Sequence, residues 1–303
     1  MTRCATAPGK VVLTGEYAVL DGAPAISAAV NRRAVASIAD VGDIGDARLA
    51  DAVRRAVGRA TLPEGLHLDT RHFSARGADG HEQKLGIGSS AALTVALCRL
   101  LAAPDADDSA ILELALRAHS ALQGGEGSGV DVATSVAGGV VRYDIGTRRP
   151  VDAGWPAGLH VRFWWSGVPA RTHVRIARWR SGRRQASADS LVASAVAAAE
   201  AWATGDARPV LRSLADYRDA LRAFSRDHGL DVFGAGHEQL AAAAAPTGIV
   251  YKPCGAGGGD IGAAFAIDPA ELDAFAKSAK EATYVPLDLD VDRCGVRATE
   301  CVA

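Results

Sequence analysis

Two kinds of apolar pattern alternate along the chain. Val11-Val12-Leu13 is a short apolar run that reads as a buried strand, broken by Gly15 and turned at Asp21-Gly22. Residues 24–35 continue as a strand pair. Residues 47–57 have helical spacing with arginines on one side, and 67–73 alternate as a strand. A polar loop over 75–83 leads to a buried helix over 93–101. A second helix follows over 109–122, with Ser109 as N-cap and Glu113 in its first turns. Residues 138–143 read as a turn and strand, and 160–165 as a strand running into residues 166–175. Two long Ala-rich amphipathic helices span 187–204 and 207–228, where packing alone explains the pattern. A helix over 238–245, a strand over 261–267, a helix over 269–281 and a last strand over 283–290 complete the series. The mixture predicts an α/β (α+β) fold. The pattern becomes irregular between Pro150 and Pro156, which places a domain boundary there and gives domains 1–155 and 156–303.

Composition narrows the function. The 303 residues, 49% of them hydrophobic, suffice for one large or two ordinary domains. A formal net charge of −2, with scattered basic residues, argues against a nucleic-acid partner. No apolar run reaches the length of a membrane span, so no membrane partner is expected. The first residues lead straight into a patterned segment, and no signal peptide is expected. Cys4, Cys98, Cys254, Cys294 and Cys301 are odd in number and lack metal-ligand spacing, which predicts a reduced, cytoplasmic chain. Monomer and homodimer both remain open.

Three glycine-rich stretches carry the candidate chemistry. In Lys84-Leu85-Gly86-Ile87-Gly88-Ser89-Ser90-Ala91-Ala92, two glycines permit a tight turn and two serines open an apolar helix. Such a loop aims backbone N–H groups at one spot, and the helix adds its positive end, so it suits phosphate. It is not a Walker A loop, because no Gly-Lys-Ser/Thr follows the glycines. Taken alone, it reads equally well as a helix entry capped by Ser89 or Ser90. Gly127-Ser128-Gly129-Val130-Asp131 is a second such stretch, where Asp131 either caps a helix or faces a cleft. Tyr251-Lys252-Pro253-Cys254-Gly255-Ala256-Gly257-Gly258-Gly259-Asp260 is the third, read as a loop throughout. Lys10 stands beside Pro8-Gly9 at the mouth of the first strand.

Ala7-Pro8-Gly9-Lys10 with Gly15-Glu16, the Gly86–Ala92 loop and the Gly255–Asp260 loop, in this order, resemble the three motifs of the GHMP small-molecule kinases. The resemblance spans residues 7–267. It implies an N-terminal domain like ribosomal S5 domain 2 and a C-terminal ferredoxin-like domain, with ATP and acceptor meeting between them. It implies Lys10 and Asp131 as catalytic residues. Lys84, Gly86, Ile87, Gly88, Ser89, Ser90 and Ala91 would bind ATP, with Ser90 on Mg2+. Glu16, Tyr17, Lys84, Ser128, Gly129, Arg171, Arg175, Gly257 and Gly258 would contact the acceptor. Lys84, the Gly127–Ala133 segment and Trp165–Thr172 are most similar to the branch of the family whose small-molecule acceptor already carries a phosphate. Arg171 departs from that branch, which has a serine there. Ser120 stands where other members carry an acidic metal ligand.

Charge gives the acceptor a physical test. A phosphate monoester is mostly a dianion at neutral pH, with a second pKa of about 6, so it needs cations rather than a base. Lys84, Arg171, His173 and Arg175 are the candidate cations. An alcohol acceptor would instead make use of Asp131 as base or orienter. A non-catalytic metabolite sensor is the third reading, and the joint presence of Lys10, Ser90 and Asp131 argues against it.

Overall fold

A computed structural model describes residues 2–40, 42–77, 80–125, 127–170 and 172–301. The chain runs through β1 (Thr2–Thr14), β2 (Ala25–Ile38), α1 (Ala47–Ala56), β3 (Leu66–Asp69) and the short strands β4 (Ser74–Arg76) and β5 (Glu82–Lys84). Then come α2 (Ser89–Leu101), α3 (Asp108–Leu122), α4 (Val130–Ala137), β6 (Val140–Asp144) and β7 (Arg149–Asp152). The second half holds β8 (His160–Trp165), α5 (Thr172–Ser181), α6 (Ala186–Ala203), α7 (Ala207–Asp227), α8 (His237–Ala244) and β9 (Val250–Pro253). It ends with β10 (Ile261–Ala266), α9 (Pro269–Glu281), β11 (Val285–Leu287) and β12 (Arg297–Cys301).

Two antiparallel sheets organise these elements. The first has the order β12-β1-β2-β6-β7, with β3 also paired to β2; the second is β11-β8-β10-β9. The first sheet packs on α2, whose residues are buried on nearly every side from Ala91 to Leu101. An apolar helix without a polar face belongs in the interior, and α2 is the central helix of that core. In the second sheet every residue of β10 is buried. Trp164, Tyr251 and Phe275 pack there, with Trp164 edge-on to Phe275.

The expected strands and helices are mostly present, with informative differences. Val11 to Leu13 belongs to a strand of 13 residues, because bulges at Pro8/Gly9 and Val12/Thr14 let β1 bend and keep pairing with β2. Residues 67–73 divide into β3 and a 3-10 turn, and the 75–83 loop contains most of a small hairpin. Ser109 is not the cap of α3; Asp107 is, accepting from Ala110 N at 2.8 Å. The strand over 160–165 ends at Trp165 as expected, with α5 starting at Thr172, and Tyr251–Pro253 is strand rather than loop. From the far end of the chain, β12 returns to the first sheet and pairs with β1. Arg33 holds this return. It donates to Asp292 Oδ2 at 2.6 Å, Cys294 O at 3.0 Å and Gly295 O at 2.7 Å. Cys4 carries a disulfide, while Cys98, Cys254 and Cys294 are free. Among the described residues no helix is long and apolar enough to cross a membrane.

Candidate active site

A cleft of about 310 Å³ collects the glycine-rich stretches. Its first wall is the loop from Gly86 to Ser90. Leu85 and Ile87 are buried and anchor the loop in the core, while Gly86 and Gly88 take left-handed backbone at φ 79° and 78°. Lys10 N donates to Ile87 O at 2.9 Å, so β1 is stitched directly to this loop. The stitch requires Gly9, where a Cβ would lie 2.8 Å from Ile87 O. Gly88 is the N-cap of α2 and no side chain caps the helix, which corrects the alternative of a serine cap. The first-turn amides, which have no intrahelical acceptor, are therefore open to an anion.

The opposite wall carries Asp131. Gly129 caps α4 at φ 87°, and Asp131 is the second helical residue rather than the cap. Its carboxylate sits in the first turn, where the helix dipole favours negative charge. Lys10 Nζ lies 3.1 Å from Asp131 Oδ1; the lysine side chain is 8% exposed and the aspartate 35%. His119 is buried close enough to feel both charges, and burial holds its imidazole below the ordinary histidine range. Ser128, Lys84, Ser90 and Gln123 complete this part of the lining.

The third loop closes the far side, although not through the glycines expected. Gly255, Ala256 and Asp260 line the cleft. Gly257 and Gly258 turn away from it: a Cβ on Gly257 would meet Val232 O at 2.4 Å, and Gly258 N donates to Val232 O at 2.7 Å. Arg175 is also not at the cleft. It donates to Leu230 O at 2.9 Å and Gly258 O at 3.3 Å, and so braces the third loop from behind. Arg171 and the side chain of His173 lie outside the described residues. Asp260 packs against the phosphate loop, at a spot a side chain on Gly86 would fill, and accepts from Ala170 N at 2.9 Å. Burial raises its carboxyl above the usual range, with Lys10 and Arg175 opposing. Cys254 lines the cleft as a thiol pushed up to about 11 by burial, which makes it unreactive.

Glu16 and Tyr17 join the two halves. Tyr17, at φ 62°, donates its hydroxyl to Ala256 O at 2.7 Å. Tyr217 donates to Glu16 O at 3.1 Å, and Lys252 Nζ to Glu16 Oε1 at 2.5 Å. Both Glu16 and Tyr17 line the cleft. Lys252, Asp260 and Thr172 were not singled out from the sequence as site residues. Asp260 could have been found, because it ends a motif; a buried lysine inside a strand leaves no such mark.

Residues 48–139, which include the phosphate loop and Asp131, match the GHMP kinases N terminal domain. The match ties this stretch of the chain to the GHMP kinase family. Members of this family are phosphotransferases that bind ATP. The chain is 28% identical over 330 residues to phosphomevalonate kinase of Streptomyces sp. (strain CL190), covering 85% of this chain and 88% of that one. It is 34% identical over 155 residues to mevalonate kinase of Methanothermobacter thermautotrophicus, covering 48% of this chain and 51% of that one. Its fold is that of the solved GHMP kinases. Streptococcus pneumoniae phosphomevalonate kinase in complex with phosphomevalonate and AMPPNP superposes with a TM-score of 0.79 at 18% identity, covering 95% of this chain and 99% of that one.

Proposed function

We propose that this chain is a GHMP kinase that transfers the terminal phosphoryl group of ATP to 5-phosphomevalonate, giving ADP and 5-diphosphomevalonate. The observation that carries the reading is the Lys10–Asp131 pair at 3.1 Å in the cleft lined by the uncapped start of α2. Phosphoryl transfer needs alignment and charge neutralisation more than covalent chemistry. The amides after Gly88 would hold ATP phosphates, and Lys10 would offset charge on the migrating group. Asp131 would hold Lys10 in place, since a phosphate dianion needs no base. Among the described residues lining the cleft, Lys84 is an exposed cation available to the acceptor's own phosphate. The identity to the Streptomyces phosphomevalonate kinase over most of both chains supports this acceptor.

Mg2+ fits the donor set. Among the described residues no group of three or more His, Cys, Asp or Glu forms a metal cage. The cleft offers oxygen donors instead, from Ser90, Asp131 and Asp260, which suit a hard cation held mainly by nucleotide phosphates. Bound there through Ser90, it would neutralise phosphate charge.

An alcohol acceptor within the same family is the second reading, favoured by the 34% identity to a mevalonate kinase over half of the chain. An ADP-release assay against 5-phosphomevalonate, mevalonate, homoserine and galactose tests both. Turnover of 5-phosphomevalonate alone is expected; turnover of mevalonate with none of 5-phosphomevalonate would overturn the first reading.

A further inference from the structure

A second cavity, separate from the cleft, plays no part in the transfer step. It is a groove of about 730 Å³ between α3 and the turn that joins β6 to β7. Small-molecule sites run from about 300 to 1,000 Å³, so the groove is of that size. Leu112 and Leu116 of α3 give it apolar lining. Arg117, Arg148 and Arg149 bring three guanidinium groups to it, against one carboxylate, Glu113, among the described lining residues. The hydroxyl-bearing residues Ser109, Ser120 and Thr147 also line it.

These arginines are not spent on the protein itself. Exposed arginines elsewhere in the chain take carboxylates, as Arg54 does with Asp51 and Arg222 with Glu238. Neither Arg148 nor Arg149 has an ion pair or a side-chain hydrogen bond among the described residues. Asp144 is at hand, since its carbonyl accepts from Arg148 N at 2.9 Å, yet its carboxylate pairs with Arg142 at 3.3 Å. Arg117 makes one bond, to Ala56 O at 3.3 Å. Arg148 also holds left-handed backbone at φ 55°, a conformation costly to a residue with a long side chain. The groove reaches the catalytic loop as well. Leu116, Ser120 and Arg148 line both the groove and a small crevice beside Gly127, Ser128 and Gly129, and that crevice shares Gln123 and Ser128 with the cleft. Leu116 packs on Gly129, the cap of the helix that carries Asp131; a Cβ there would lie 2.7 Å from Leu116 Cδ2.

We propose that this groove is a second ligand site, which binds a small phosphate ester with its phosphate on Arg148, Arg149 and Arg117 and its carbon body on Leu112 and Leu116. A guanidinium offers N–H groups in a planar fork that matches two phosphate oxygens. Three such groups call for more than the single charge of a carboxylate, and the leucines favour an ester over inorganic phosphate. The site is distinct from the reaction cleft, so the inference holds whichever acceptor the cleft takes.

The test titrates butyl phosphate and inorganic phosphate separately into 15N-labelled protein whose cleft is filled with a non-hydrolysable ATP analogue, and follows the backbone amide resonances. Butyl phosphate should move residues 109–121 and 147–149, with a Kd roughly ten-fold or more below that of inorganic phosphate, because its methylenes leave water. The double variant Arg148→Asn/Arg149→Thr removes two cations, and asparagine tolerates the left-handed position. It should weaken butyl phosphate at this site by about ten- to hundred-fold, the effect of losing a charge-assisted contact. Circular dichroism with a thermal melt checks its fold. Glu113→Gln gives an independent reading of opposite sign: removing the groove's own carboxylate should tighten binding by roughly two- to five-fold. Lys10→Ala, a change in the cleft, should leave the groove titration as it is. The proposal is overturned if residues 109–121 and 147–149 do not respond, if inorganic phosphate binds there as tightly as the ester, if the double variant binds as wild type does, or if Glu113→Gln weakens binding.

Discussion

Two lysine–carboxylate pairs face one cleft, and they differ in how tightly each is enclosed. Lys10–Asp131 is 3.1 Å apart with side chains 8% and 35% exposed; Lys252–Glu16 is 2.5 Å apart with side chains 0% and 2% exposed. The first pair keeps one partner wet, so a bound phosphate can compete for the lysine at modest cost. The second is sealed, with both side chains buried. An open pair suits a cation that must follow a moving charge. A sealed pair suits a carboxylate that must stay in place.

The largest way to break this contrast is to remove one member of the sealed pair. Lys252→Met should cost about 3–5 kcal/mol of stability, because Glu16 is left as an uncompensated buried charge. Adding Glu16→Leu should recover most of that loss. Urea unfolding of the single and double variants measures both, and a single variant as stable as wild type would show that the pair is not sealed.

The same change in the open pair should act on rate instead. Lys10→Ala leaves Asp131 in contact with water, so unfolding should change little. Loss of one preorganised charge should lower kcat by roughly two to three orders of magnitude, with a small change in KM for ATP. If kcat stays within a factor of a few, Lys10 is only a buried lysine of β1.

The two pairs were unequally legible in the sequence, for a physical reason. The Lys10 and Asp131 surroundings are written in local chemistry: Gly9 must admit Ile87 O, Gly88 must take positive φ, and Gly129 must start α4. Such demands leave glycines behind. Lys252–Glu16 depends on two sheets meeting across 236 positions, and nothing near either residue announces it. The same limit explains Gly257 and Gly258, which are glycines for packing on Val232, and Arg175, a cation used on backbone carbonyls. It also explains β12, a polar five-residue strand held by Arg33 from far upstream.

A third buried group sharpens the contrast through pH. His237 carries no paired charge. Its Nε2 meets Gly259 O at 3.0 Å, so that nitrogen holds the proton, and Nδ1 accepts from the Tyr251 hydroxyl at 2.8 Å. Burial lowers its pKa from 6.5 to about 4. Between these values the unfolded chain binds more protons, so stability falls as pH falls through this window, by up to about 3 kcal/mol from this residue. The loss should be fully absent above pH 6.5. Unfolding midpoints measured across pH 4–7 should slope less in His237→Gln than in wild type; identical slopes would remove His237 from the third loop's support.

The smallest expected effects separate the acceptors. Lys84 is exposed at the cleft, so its charge is partly screened and its loss should be felt by one ligand only. Lys84→Met should raise KM for 5-phosphomevalonate by about ten- to hundred-fold, the range for a charge-assisted contact, and KM for ATP far less. Asp131→Asn keeps the shape beside Lys10 and removes only the charge. If the acceptor is a phosphate dianion, no proton has to be taken from it, and the loss should be a partial one from looser placement of Lys10. If the acceptor is an alcohol, the same variant removes the group nearest to a base and activity should collapse. The pair of variants therefore reads the acceptor's protonation state from opposite sides. A silent Lys84→Met with a collapsed Asp131→Asn, in an enzyme whose wild type turns over mevalonate, would leave the alcohol kinase standing.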